Sequence, residues 1–229
     1  MAKARTFYYC RECGYQSSSW LGKCPSCGKW NTFDEEVVQK ETAGSKQKAK
    51  GSTMSTPKLI QHVVYSETQR MPTHCAEFDR VLGGGIVPGS LLLLGGEPGI
   101  GKSTLLLQTA MAIPDRKILY VSGEESEEQI KMRADRVGEA KGELYVVSET
   151  SMERIFEHVA GVEPDLLIVD SIQTVSTEAI ESGAGSLSQI RECTTQFQRY
   201  AKENGVPVLL VGHITKDGTL AGPKWATAR

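Results

Sequence analysis

The sequence predicts an α/β chain: a mainly parallel sheet with crossover helices, preceded by a small module held together by four cysteines. Three observations carry this. Beyond residue 57 short apolar runs alternate with amphipathic stretches, the pattern of strands buried on both faces and of the helices that cover them. One run, the four leucines at 91–94, leads into a glycine-rich turn and then a helical stretch. Near the start, Cys10, Cys13, Cys24 and Cys27 form two Cys-x2-Cys pairs with ten residues between them.

A chain of 229 residues can bury one sizeable core and carry an appendage. Charged residues at 24%, hydrophobic ones at 39% and a net charge of -2 describe an ordinary soluble chain without an overall polyanion-binding signature. The average hides an asymmetry. Up to Phe33 the charges are Lys3, Arg5, Arg11, Lys23 and Lys29 against Glu12 alone, so the first module is basic and the remainder acidic. A basic module suits contact with a polyanion, and equally an ordinary solvated surface. No run approaches the roughly 18 apolar residues of a membrane span. The opening MAKARTFYYC turns polar at once and has no signal-peptide core. The expected location is cytoplasmic, where thiols stay reduced and six cysteines read as metal ligands or buried thiols.

Three pieces are expected along the chain: the four-cysteine module at 1–33, a flexible linker at 34–57 and an α/β domain at 58–229. The linker is rich in Lys, Ser, Thr and Gly, too polar to offset its ordering entropy. In the third piece strands are expected at 90–94, 117–121, 143–147, 166–169 and 206–211. Helices are expected at 102–112, 125–137, 152–159 and 187–204, the last with Leu187, Ile190 and Phe197 near one face.

Each Cys-x2-Cys pair can wrap two thiolates around one ion from a tight turn. Gly14 and Gly28 follow the second cysteine of each pair, where backbone amides turn towards sulfur. Four thiolates in a closed tetrahedron suit structural zinc. Two redox dithiols or four buried cysteines are the competing readings, and the doubled spacing favours zinc. Cys75 and Cys193 lie outside any ligand spacing and read as buried or neutral thiols. His62, His74 and His158 show no partner pattern.

Gly96, Glu97, Pro98, Gly99, Ile100, Gly101, Lys102 and Ser103 spell GxxxxGK[ST], a phosphate-binding loop between a strand and a helix that includes Thr104. Glycines let backbone amides curl round a β-phosphate at the helix N-terminus, where the dipole favours anions. Lys102 is then the cation for the β- and γ-phosphates of ATP, and Ser103 a ligand of Mg2+. Asp170 closes the apolar run DLLIVD and completes the magnesium shell from the same sheet edge. Hydrolysis also needs a group that positions water. Glu124 is the first choice and Glu125 the alternative, because the strand before them ends at that edge. The competing reading makes both of them favourable first-turn acids of the next helix.

A strand ending in Glu after the P-loop helix, then one ending in Asp, resembles the RecA-like P-loop ATPases, and no NKxD-type guanine reader is present. The runs CRECG, WLGKCPSCGKWNT, GGGIVPGSLLLLGGEPGIGKSTLL, YVSGEES, LLIVDSIQT and VGHITKDGTLAGP resemble the bacterial RadA (Sms) family from residue 7 to residue 223. That resemblance implies a DNA-stimulated ATPase of recombinational DNA repair. Such a protein binds single-stranded or branched DNA, processes recombination intermediates, works with a RecA-type recombinase and assembles as a homo-oligomer, a hexamer in the full-length family. It also implies DNA-facing loops at 175–186, with Gly183 and Gly185, and at 213–223, with Lys216 and Gly218. His213 would report nucleotide state to the second loop. The family continues past the equivalent of Pro223 into a KNRFG motif and a Lon-protease-like domain, whereas this chain ends at Arg229, so a C-terminally truncated ATPase domain is expected. Two rival readings stand beside it: a regulatory ATPase related to KaiC, and a zinc- and ATP-binding fragment that does not hydrolyse.

Overall fold

The computed structural model describes residues 5–10, 15–38, 59–62 and 70–213. The first described unit is a three-stranded antiparallel sheet in the order β2-β1-β3, from β1 (Arg5–Cys10), β2 (Gln16–Ser17) and β3 (Phe33–Val38). The β1–β3 ladder runs from Arg5 opposite Val38 to Cys10 opposite Phe33. The boundary expected at residue 33 therefore falls inside a strand. Polar composition marks 34–38 as linker, but the backbone groups there pair with β1, a partner that local composition does not register. Residues 39–57 of the expected linker lie outside the described residues.

The larger unit is a five-stranded, all-parallel sheet in the order β4-β8-β7-β5-β6. In chain order a short helix α1 (Ala76–Val81) precedes β4 (Leu91–Gly96), α2 (Lys102–Ala112), β5 (Lys117–Ser122), α3 (Glu127–Val137) and β6 (Glu143–Ser148). Then come α4 (Met152–Val162), β7 (Leu166–Asp170), α5 (Leu187–Asn204) and β8 (Val208–His213). All five strands and four helices expected beyond residue 57 are present, with ends moved by a few residues. Helix α3 starts at 127 and not 125, because Ser126 caps it and exchanges hydrogen bonds with Gln129 in a capping box. Helix α1 escapes the sequence reading: it is two turns long and its N-cap, Cys75, makes no side-chain cap.

Strand periodicity divides the core. On β7, Leu167 and Val169 pack with Met152, Ile155, Phe197 and Ala201 of α4 and α5, while Leu166 and Ile168 face Leu106, Leu107 and Ile130 of α2 and α3. A parallel sheet must be covered on both faces, which is why β5, β7 and β8 read as unbroken apolar runs. The chain passes from β4 to β5, out to β6, and back through β7 and β8 into the gap. Crossovers on opposite faces leave a crevice outside the carboxyl ends of the strands, the place where ligands bind in open α/β sheets. No helix among the described residues is long and apolar enough to cross a membrane.

Candidate functional site

The carboxyl ends of β4, β8, β7 and β5 bring the sequence-predicted residues together. Beyond β4 the P-loop turns through Gly99 (φ 81°) and Gly101 (φ 99°), a left-handed backbone that favours glycine, and delivers Lys102 and Ser103 into the first turn of α2. Gly96 closes β4, Glu97 and Pro98 lead to the exposed Ile100 at the crest, and Thr104 follows in the helix. Lys102 is buried, and its ammonium donates to the carbonyls of Gly96 (2.9 Å) and Glu97 (2.8 Å). The cation is held inside the loop by ligands of the same kind that phosphate oxygens provide.

Asp170, the last residue of β7, is buried, and the phenol of the fully buried Tyr120 donates to its Oδ2 at 2.7 Å. Burial and the neighbouring Asp170 charge push the Tyr120 ionisation well above its ordinary value, so the phenol stays a donor. That hydrogen bond commits Oδ2 and leaves Oδ1. A carboxylate oxygen left open in this way is a hard ligand of the kind that Mg2+ takes.

The turn after β5 separates the two glutamates. Ser122 Oγ accepts the amide of Glu125 (2.9 Å) and, more weakly, that of Glu124 (3.4 Å). A Cβ at Gly123 would collide with Thr174 Oγ1, so only glycine fits between the strand and Glu124. The Glu124 side chain stays half exposed and turns towards β7 and β8: Ser171 Oγ donates to Oε1 at 2.8 Å and His213 Nε2 lies 3.0 Å from the same oxygen. Burial alone would raise its proton affinity, but the hydrogen bonds of His213 and Ser171 and the charges of His213 and Lys102 hold it below the usual carboxylate value. Glu125 turns to α3, where Arg133 nitrogens sit 3.0 and 2.6 Å from its two oxygens. Neither residue is a first-turn helix acid; those are Glu127 and Glu128.

Tyr120, Ser171 and Arg133 were not legible as site residues. Tyr120 reads as one more core aromatic, and the roles of Ser171 and Arg133 depend on contacts 47 and 8 residues away in sequence.

The loop at 175–186 that the resemblance turns towards DNA is tied down at its start. Buried Gln189 of α5 accepts from the amide of Thr177 (2.9 Å) and donates to the carbonyls of Thr177, Ile180 and Ser182. Thr177 Oγ1 donates to Glu153 at 2.6 Å. A long polar loop can be ordered when one buried amide serves its backbone groups, which composition does not reveal. Of the second expected loop only His213 is described; Lys216 and Gly218 lie outside the described residues.

In the small unit Cys10, Cys24 and Cys27 place their sulfurs within 4.8 Å of one another, with Cys10 and Cys27 3.6 Å apart. A tetrahedral zinc–thiolate site has sulfur–sulfur edges of about 3.8 Å for Zn–S bonds of about 2.3 Å. The three sulfurs fit one face of that tetrahedron; Cys13 lies outside the described residues. One cysteine of the first pair joins both of the second, as a shared ion requires and two separate dithiols do not. The turns are built for sulfur: the amides of Cys10 and Cys24 donate to the carbonyls of Tyr15 and Lys29, and Gly28 takes φ 74°. Cys193 is buried away from any ligand set, its thiol pushed up to about 12 by burial, and Cys75 is half-buried.

Comparison with known proteins finds a match for each unit. A family described as AAA domain matches residues 68–219, and one described as rubredoxin metal binding domain matches residues 8–35. The chain is 49% identical over 227 residues to DNA repair protein RadA of Halalkalibacterium halodurans, 48% over 228 residues to that of Bacillus subtilis, and 45% over 229 residues to that of Listeria monocytogenes. Each match covers 98% of this chain and 50% of the relative, so the chain spans about half the length of the curated relatives it matches.

Proposed function

For a chain that belongs to the AAA-domain family, and whose curated homologues are named DNA repair protein RadA, we propose a DNA-dependent ATPase of recombinational repair. The observation that carries the hydrolase reading is the placement of Glu124, an ionised carboxylate fixed by Ser171 and His213 and in the field of Lys102. It is the group we assign to orient the attacking water, with Glu125 committed to Arg133. Lys102 exchanges the Gly96 and Glu97 carbonyls for phosphate oxygens and stabilises charge developing on the γ-phosphoryl group. Gly96, Glu97, Pro98, Gly99, Ile100, Gly101 and Thr104 shape the phosphate cradle. Ser103 and Asp170 are the residues that would hold Mg2+, which supplies charge neutralisation at the phosphates when bound. Zinc on Cys10, Cys13, Cys24 and Cys27 is the structural metal of the first module.

We extend the reading to single-stranded or branched DNA as the effector, a RecA-type recombinase as partner, a homo-oligomeric working form and a cytoplasmic location. His213 closes β8 and touches Glu124, so a change at the γ-phosphate that moves Glu124 also moves the start of the segment proposed to meet DNA.

The test is ATP turnover by the purified chain with and without single-stranded DNA, beside Lys102→Ala. DNA-stimulated turnover that Lys102→Ala abolishes is the expected result. ATP binding without turnover on any DNA would instead support the non-hydrolysing fragment, and equal turnover by the Lys102 variant would remove the ATPase assignment.

A further inference from the structure

We propose that the cysteine module carries its own binding surface for single-stranded DNA, a stacking platform made by Trp20 and Trp30. This rests on the proposal that the chain acts on DNA, and it locates a contact outside the ATPase sheet. Trp20 is 56% and Trp30 68% exposed, a large apolar area for so small a unit. The indoles are neighbours: a Cβ built on Gly22 would lie 3.7 Å from Cζ3 of Trp20 and 3.9 Å from Cζ3 of Trp30. The ring edges therefore converge over a residue with no side chain to fill the gap. The backbone there is fixed, because Lys23 bridges to Trp30 and the Asn31 amide donates to the Gly22 carbonyl at 2.9 Å.

Charge identifies the occupant. Lys23 Nζ stands 5.5 Å from the Trp30 ring centroid, and Lys29 adjoins Trp30 in sequence. No Asp or Glu occurs from residue 13 to residue 33, the stretch that carries both indoles and Lys23; the acids of this unit's β3 are Asp34, Glu35 and Glu36. A hydrophobic protein partner would need the rings alone. Two exposed rings with the Lys23 ammonium over one of them match bases joined by phosphates, since every base offers a π-face and every linkage a negative charge. A duplex hides its base faces, so the single strand is the ligand.

The experiment uses the full chain, zinc-loaded, in a Trp225→Phe background so that Trp20 and Trp30 alone report by fluorescence. The probe is an oligothymidylate of about 20 nucleotides, with a duplex of equal length and heparin, a polyanion without bases, as controls. Expected are quenching of both indoles by the oligothymidylate and not by heparin, and a loss of roughly five- to 150-fold in oligothymidylate affinity for Trp30→Ala or Trp20→Ala. Trp30→Phe, which keeps a ring, should retain most of the affinity, and Lys23→Gln should weaken oligothymidylate and heparin alike. If the alanine variants lose zinc, quenching and the Trp30→Phe comparison still decide the matter. Unquenched indoles, or alanine variants that hold zinc and bind as the parent does, overturn the platform; DNA-stimulated ATP turnover in those variants would leave the ATPase reading intact. A parent chain that binds no DNA at all overturns both.

Discussion

Tyr120→Phe removes one oxygen atom and tests how the site is held. The phenol is fully buried and makes a 2.7 Å hydrogen bond to Oδ2 of Asp170, itself buried. Phenylalanine fills nearly the same volume, so no cavity term enters and the change isolates the hydrogen bond. A hydrogen bond to a charged group contributes about 1.5–3 kcal/mol, and its loss here strands a buried carboxylate oxygen. At about 2–4 °C per kcal/mol for a chain of this size, the melting temperature of the ATPase unit should fall by about 3–12 °C. The carboxylate also becomes free to rotate, so the Mg2+ concentration that half-saturates nucleotide binding should rise, while binding measured without metal changes little. The pH dependence follows from the sign of the Tyr120 shift. Its ionisation is raised above the ordinary 10.0, so the stability it contributes is complete below pH 10 and is lost only as pH rises beyond that value. Thermal melts across neutral to alkaline pH, with and without Mg2+ and a non-hydrolysable ATP analogue, read all three effects. A variant that melts within a degree of the parent and keeps its Mg2+ dependence would show that the hydrogen bond does not position Asp170.

Glu124→Gln should keep ATP binding and lose about 10²–10⁴-fold in turnover, whereas Glu125→Gln should cost at most about 1 kcal/mol in stability through Arg133 and leave turnover near the parent's. Because Glu124 ionises below the usual carboxylate range, the parent-to-Gln ratio should stay constant between about pH 5.5 and 8; a ratio that shrinks towards acid would mean that another group positions the water. Gly123→Ala should cripple turnover more than nucleotide binding, since the new methyl meets Thr174 and not the P-loop; turnover at the parent's level would show that the Glu124 position tolerates the shift. Cys24→Ala or Cys27→Ala should drop zinc from near one per chain towards zero while the ATPase unit still melts cooperatively; retained zinc would mean that the ligand set is wrong.

What the sequence revealed is what neighbours in sequence decide. Lys102, Ser103 and the P-loop glycines act within eight residues, and the apolar runs of β5, β7 and β8 announce strands buried on both faces. The cysteine pairs are likewise local, each a turn with two sulfurs. What it hid depends on partners far along the chain. Strand β3 exists because β1 lies beside it, the loop after β7 is ordered because Gln189 sits beneath it, and Tyr120 is a site residue because Asp170 is 50 residues away. The choice between Glu124 and Glu125 shows the difference most sharply. Both follow the same strand and carry the same group, and only Ser171, His213 and Arg133 tell them apart.

The strand order explains why two of those partners, Ser171 and His213, converge on Glu124. β8, β7 and β5 are consecutive in the sheet, and His213, Ser171 and Glu124 stand at or just beyond their carboxyl ends. His213 therefore reaches across β7 to the residue after β5, and Ser171 of the strand between them donates to the same oxygen of Glu124. Three strand ends meet on one atom. With Oε1 held in this way, Oε2 is the oxygen left to accept a water proton, and its direction is set by two strands at once. Removing Ser171 Oγ or the His213 ring should then loosen Glu124 without touching nucleotide contacts, lowering kcat with little change in KM for ATP. A Ser171→Ala variant whose KM rises while kcat holds would place the serine on the nucleotide and not behind the carboxylate.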